Sequence, residues 1–549
     1  MEPADPLVYG SEEIILQPVP ALHREVYLKA VQTHAEQTTL QTLYPGHGFE
    51  DLYSFLIRSP LASRHPVSYG QESPAFAMLY TVDNEIKPDV SSYDDSVALT
   101  RAMEHNVAAS KPQLVFLKGF PSPEWLLDVG ATFGIDPEFF KLHMRFRESK
   151  EYHSSPSLPS SLEHIVRLRI STVGSREEKR GVSHQINVDK LRSEASKSKH
   201  LYEHNLGVAN DTKRGDSVVR GFYVLDEKHF VIEQEMSVCL SQIAGSWSVL
   251  ILTDIGNDLS QGPSGPWLTK RDRESSSPWT RFYPVVQHRH KIALVPKASH
   301  SAKGGLFTGK CPQSASLLAE HYAEFADMQL FGEDPFYSLN ELFRFVAHSE
   351  NLFLATLEVK IDVDTRYASA DQDQLTLSNL SYFHGILERH QARLRENIDV
   401  IKRRGHSCGP QVSNSDKTLQ EKSHSAAESL LKDFEYLHVW AKSLSERCSQ
   451  GTNVIMNNSM LAESKKAIEQ AEGLRKLTLV AFFYIPLSFT TSFFGMNFKQ
   501  LGQGDLSVWV WFIASGPVLI ISICFLLWDY RGFYISSKEL LRRFASVFY

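Results

Sequence analysis

Near its C-terminal end the chain carries two uncharged apolar stretches in tandem, and this pair constrains its fold more than any other feature. The first is LTLVAFFYIPLSFTTSFF (Leu477–Phe494); the second is VWVWFIASGPVLIISICFLLW (Val508–Trp528). A helix rises 1.5 Å per residue, so about 20 apolar residues cover the roughly 30 Å of hydrocarbon in a bilayer. Each stretch is long enough to cross once. Trp509, Trp511 and Trp528 lie near their ends, where indole rings favour the membrane–water interface. A pair of buried core helices is the alternative reading. Lys465, Lys466, Arg475 and Lys476 precede the first stretch, Arg531, Lys538, Arg542 and Arg543 follow the second, and the connection between them carries only Lys499 and Asp505. The positive-inside rule then puts both termini in the cytosol, with the plasma membrane ahead of the mitochondrial inner membrane.

The remainder reads as a soluble body. A length of 549 residues implies more than one structural unit. A formal net charge of -7 with no long basic block argues against nucleic acid as a partner. The five cysteines are far apart and odd in number, which suits a reduced compartment and neither a disulfide framework nor a zinc ribbon. The N-terminal residues are acidic and lack the apolar core of a secretory signal. Residues 1–110 read as a variable, partly ordered lead-in, and 111–313 as an α/β domain with strands at Gln113–Phe120, His164–Ser171, Ser217–Leu225, His229–Ile243, Trp247–Ile255 and Lys291–Pro296. Residues 314–405 turn helical, including SLLAEHYAEFADMQLFG and a long amphipathic helix at Leu377–Arg404.

No proline occurs between Pro410 and Pro486, and Leu430, Phe434, Leu437, Ala441, Leu444, Cys448, Ile468, Ala471 and Leu474 keep near-heptad spacing. This predicts a stalk helix over 421–476 that enters the membrane unbroken, with Gly451 and Gly473 as weak points; a coiled coil joined by a separate linker is the alternative. The fold class expected is therefore α+β, with a cytosolic domain, a long stalk helix and two C-terminal transmembrane helices at 477–497 and 508–528. A short external loop at 498–507 and a basic cytosolic tail at 529–549 complete the plan.

On the first span, Ser492, Ser488, Ile485, Ala481, Leu477 and Leu474 share one face, small or hydroxylic on its outer part and aliphatic on its inner part. That stripe suits a pore lining with an apolar constriction, and equally a close helix–helix contact. Neither span holds an ionisable residue, which argues against a proton relay. No P-loop, G-x-G-x-x-G or nucleophile elbow is present, His288 and His290 lack a third ligand, and no enzyme activity or bound cofactor is expected.

Lys476–Phe498, KLTLVAFFYIPLSFTTSFFGMNF, resembles the pore-helix signature of the CorA family of magnesium channels and transporters. The shared features are the K-x-LT start, the P-L-S-F centre and GMN at the outer end of the first of two C-terminal spans. The resemblance implies a funnel-shaped homopentamer in the lipid bilayer that passes divalent cations, with Gly495, Met496 and Asn497 forming the ion-selective mouth. It also implies a pore lined by Ser488, a hydrophobic gate at Leu477 and Leu474, and a basic collar from Arg531, Lys538, Arg542 and Arg543. Asp433 and Glu435 are candidates, by position, for regulatory Mg²⁺ binding. A ring of neutral amides fits Mg²⁺, which sheds its water reluctantly. Family loops after GMN are often acidic, whereas FKQLGQGDLS has one Lys and one Asp. Mg²⁺ is thus the first choice of ion, with Co²⁺, Ni²⁺ and Zn²⁺ open. The competing class is a membrane-anchored scaffold or metal sensor with little or no transport.

Overall fold

The computed structural model describes residues 24–37, 40, 42–43, 46, 48–58, 75–82, 87–145, 158–176, 188–208, 212–243, 246–268, 280–287, 311–367, 373–403, 417–495 and 507–524. They belong to two compact units, Met1–Gly451 and Thr452–Tyr549.

The first unit is built on one sheet. Its strands are β1 (Ala77–Thr81), β2 (Asp89–Tyr93), β3 (Gln113–Lys118), β4 (Ile165–Arg176), β5 (Gly221–Val224), β6 (His229–Ile243), β7 (Ser246–Thr253) and β8 (Thr280–Phe282). The order is β2-β1-β3-β7-β6-β4-β8, with β5 pairing β6. Only β3 and β7 run parallel, in register from Gln113↔Ser248 to Lys118↔Thr253. Every residue of β1, β3 and β7 is buried, as expected of near-continuous apolar runs covered on both faces.

Period-two alternation assigns the faces. Leu79, Val115, Leu117, Leu250 and Leu252 join one core with Tyr27, Phe55, Trp125 and Phe139. Those four come from α1 (Arg24–Ala35), α2 (Phe49–Leu56), α4 (Pro123–Phe133) and α5 (Pro137–His143), while α3 (Ser96–Ala108) adds Leu99 and Met103. On the opposite face Tyr80 and Phe116 meet the ring of Tyr322, and Trp247 meets Phe331 of α7 (Met328–Glu333). The Trp247 indole N–H donates to the Gly332 carbonyl at 2.8 Å. A second core gathers Tyr202 and Leu206 of α6 (Val188–Val208) with Phe222, Phe230, Ile232 and Trp267.

Two expectations need correction. Residues 1–110 are more than a lead-in: α1, α2, α3, β1 and β2 all fall there, and β1 lies between β2 and β3. The segment 314–327 is not the start of a helix. It makes one short 3₁₀ turn at Ser314–Leu317, then bends at Ala323 (φ 58°), whose N–H donates to the Glu341 carboxylate. The Tyr80 hydroxyl donates to the Ala319 carbonyl at 2.7 Å, so contacts to the sheet override the local helical pattern. The strand expected at Lys291–Pro296 lies outside the described residues.

Helices α8 (Pro335–Ser338), α9 (Asn340–Tyr367), α10 (Asp373–Arg403) and α11 (Lys417–Gly495) follow. The β6 carbonyl of Glu233 accepts from Arg220 N–H, on the side away from β4. Ser171, which faces Glu233 across the ladder, therefore turns its own N–H and C=O to the outer edge of β4. The Ser349 hydroxyl of α9 accepts from the first and donates to the second, each at 2.9 Å, which closes that stretch of edge.

In α11, Leu430, Phe434, Leu437, Ala441, Leu444 and Cys448 are buried, as the heptad spacing predicts, and Phe434 packs on Phe343 of α9. Ile468 and Leu474 from the same pattern are exposed in the single chain. The helix runs through Gly451 and Gly473 without a break. At Gly451 an added Cβ would sit 2.9 Å from Leu380 Cδ1, so glycine lets α10 approach closely; nothing crowds Gly473.

Candidate functional site

The second unit contains the residues of α11 beyond Gly451 and helix α12, Val508–Cys524. The apolar end of α11 is long and apolar enough to cross a membrane; α12 is a shorter apolar helix. The predicted second span continues to Trp528, beyond the described residues.

Two hydroxyls join these helices. Thr490 and Ser515 are 4% and 5% exposed, and their Oγ atoms lie 3.2 Å apart. Thr490 also donates to the Leu487 carbonyl, and Ser515 lies 2.6 Å from the Trp511 carbonyl oxygen. At about 100° per residue, Thr490 sits roughly 160° around the helix from both Ser488 and Ser492. Packing on α12 therefore leaves the predicted stripe facing away. Leu474, Leu477 and Ile485 are 62%, 66% and 68% exposed, Ser488 and Ser492 are exposed, and Ala481 is half-buried. Gly495 is the last residue of α11. Met496, Asn497, Arg531, Lys538, Arg542 and Arg543 lie outside the described residues, as do His288 and His290. Asp433 and Glu435 are both exposed; Glu435 pairs with Lys402 at 3.3 Å. Among the described residues no group of three or more His, Cys, Asp or Glu is placed to hold a metal.

The sheet holds charged centres whose members are far apart in the sequence. β6 carries Glu233, Gln234 and Glu235 in succession, all buried. Glu235 accepts from Arg167 at 2.9 and 3.1 Å and forms an ion pair with Arg169 at 2.7 Å. Arg220 forks onto Asp254 at 2.6 and 2.9 Å and stands 4.0 Å from Glu235. Burial alone would push Glu235 up, but Arg220, Arg169 and Arg167 together hold it well below the usual carboxylate range. Burial, then the Arg220 charge, pushes His143 well below its ordinary value. It stays neutral, so its 3.8 Å approach to Asp254 is not an ion pair.

Two residues along β6, Glu233 accepts from Arg393 at 2.5 Å and lies 3.1 Å from His390 Nε2. His390 stacks on Phe353 and lies 2.5 Å from Glu350 through Nδ1. The Tyr223 hydroxyl donates to Glu233. Burial lowers the His390 pKa, but Glu350 and Glu233 outweigh it and raise it to about 9. The folded value lies above the ordinary 6.5, so this contribution to stability is complete below about pH 6.5 and is lost as pH rises through about 9. Thermal unfolding of the detergent-solubilised chain is expected to show this. The wild-type midpoint should fall between pH 7 and pH 9.5 by the equivalent of about 1–3 kcal/mol, and the fall should be largely absent in His390→Gln.

Residues 316–531 match the family model described as CorA-like Mg²⁺ transporter protein. The C-terminal part of this chain is CorA-like. The CorA-like region takes in α7–α12 and the hydroxyl contact between the two apolar helices, whereas the strands of the sheet precede it. No curated protein matches the chain. Among solved structures, the CorA magnesium transporter from Methanocaldococcus jannaschii is similar, at 13% identity and a TM-score of 0.25, covering 65% of this chain and 96% of that one.

Proposed function

We propose that this chain is a membrane-embedded transporter of divalent cations, Mg²⁺ first among them, assembled as a homopentamer with α11 lining the pore. The observation that supports this most is the opposition of two faces on α11. One face is tied to α12 through Thr490 and Ser515, while the other, with Ser488 and Ser492 above Ile485, Leu477 and Leu474, stays open. An ion path needs such a division: an outer helix on one side, a hydroxyl-bearing wall and an apolar constriction on the other. In this reading both termini are cytosolic and Asn497 supplies amide oxygens at the outer mouth. These would hold the hydrated ion by outer-shell hydrogen bonds without stripping its water. The membrane-anchored scaffold gives no role to the open hydroxyl-bearing face.

Purified chain reconstituted in liposomes tests the reading. Wild type is expected to carry Mg²⁺ down its gradient and to elute in detergent at the mass of five chains. Asn497→Ala is expected to cut flux on the order of tenfold, the scale of losing hydrogen bonds worth about 1.4 kcal/mol. Unchanged flux would remove Asn497 from the pore mouth, and no wild-type flux would favour the scaffold.

A further inference from the structure

Between α11 and the segment leading into α9 lies a cavity of about 360 Å³, within the size range of small-molecule sites. Two staples hold its mouth. Lys422 donates to Asp327, the N-cap of α7, at 2.8 Å, and Ser423 bonds Asp334, the N-cap of α8. Beyond them α11 presents Ser425, Ala426 and Ser429, then Leu430 and Asp433, to the opposite wall of Tyr337, Asn340 and Arg344. One turn further on, Phe434 and Phe343 close the helix contact.

The charges lining the cavity determine what fits. Lys422 is taken by Asp327. Two charges remain, the Arg344 guanidinium and the Asp433 carboxylate, both exposed and neither with an opposite-charge partner among the described residues. A bare divalent cation gains little at Asp433 with Arg344 and Lys422 lining the same space, and a polyphosphate meets two carboxylates. A ligand carrying one negative and one positive group satisfies both leftover charges. We infer that this cavity binds a small dipolar molecule of the α-amino-acid class, its carboxylate on the planar fork of Arg344 and its ammonium on Asp433. The Ser425, Ser429 and Asn340 side chains then offer hydrogen bonds to a polar side group.

Calorimetric titration of the full-length chain in detergent, with each of the twenty L-α-amino acids and separately with inorganic phosphate and with Mg²⁺, tests this. At least one amino acid should bind, and Arg344→Gln and Asp433→Asn should each weaken it by about tenfold or more, the scale of one charge-assisted hydrogen bond. Ala426→Leu fills the cavity without touching either charge and should abolish binding. Thermal midpoints should stay at the wild-type value for the two exposed substitutions. The inference is overturned if no amino acid binds, if binding survives both charge substitutions, or if phosphate or Mg²⁺ alone binds there as tightly. Loss of Mg²⁺ flux in the liposome assay would leave this result unaffected.

Discussion

Glu235→Ala is expected to destabilise the first unit by about 3–5 kcal/mol, the cost of breaking a buried ion-pair network by removing one partner. That is a large share of the roughly 5–15 kcal/mol available to a domain. The carboxylate takes hydrogen bonds from Arg167 and pairs with Arg169, and its charge also offsets Arg220, which is buried, forks onto Asp254 and donates to the His143 carbonyl. Removing it leaves Arg167 and Arg169 without this carboxylate, while Arg220 and the N–H of residue 235 still bond to Asp254. Arg167→Ala is the matched control. Its side chain is 41% exposed, the carboxylate keeps its other partners, and a loss of about 1 kcal/mol or less is expected. Guanidinium unfolding of the detergent-solubilised chain reports the difference through Trp125, Trp247 and Trp267, all fully buried in this unit. Equal midpoints for the two variants would show that Arg220 and Asp254 satisfy the site without Glu235. The same centre fixes a direction with acid: Glu235 lies below the usual carboxylate range, so its contribution is present above that range and is lost as pH falls through its lowered value.

What the sequence disclosed and what it concealed divide along the range of the interactions. The apolar spans and the buried stripe Leu430–Cys448 are legible because their periodicity is local, and a helix buries what its own spacing aligns. β6 is legible as a strand from its Val, Ile and Phe residues, but nothing in its own pattern marks Glu233 and Glu235 as buried. Their partners, Arg393 and Arg167, stand 160 and 68 positions away, beyond any window. β1 is only five residues long, and it is buried because β2 and β3 flank it, not because its own pattern demands it. Residues 314–327 show the converse: a helical pattern is real, yet Tyr80 and Glu341 bind the backbone in a turn. In the spans, the spacing picks out Ser488 and Ser492 and is silent on Thr490 and Ser515. The structure separates them, with Thr490 against Ser515 and Ser488 and Ser492 on the far side, and no count of small residues distinguishes those roles.

Under the proposed function, that separation predicts which positions on α11 meet water. In a background with Cys408 and Cys524 replaced by serine, the remaining cysteines, Cys239, Cys311 and Cys448, are buried. Ser488→Cys and Ser492→Cys are then expected to react with a charged, membrane-impermeant methanethiosulfonate and to lose Mg²⁺ flux on the order of tenfold, since a charged adduct would stand in the ion's path. Phe482→Cys lies roughly 120° around the helix from Ser488 and should neither react nor lose flux. Thr490→Cys, buried against Ser515, should stay unmodified as well. Reduction of the adduct should restore flux at positions 488 and 492, which separates blockage from unfolding. Block at Phe482→Cys with none at Ser488→Cys would mean that α11 is rotated in the assembly. The Thr490–Ser515 contact would then not be what sets its orientation.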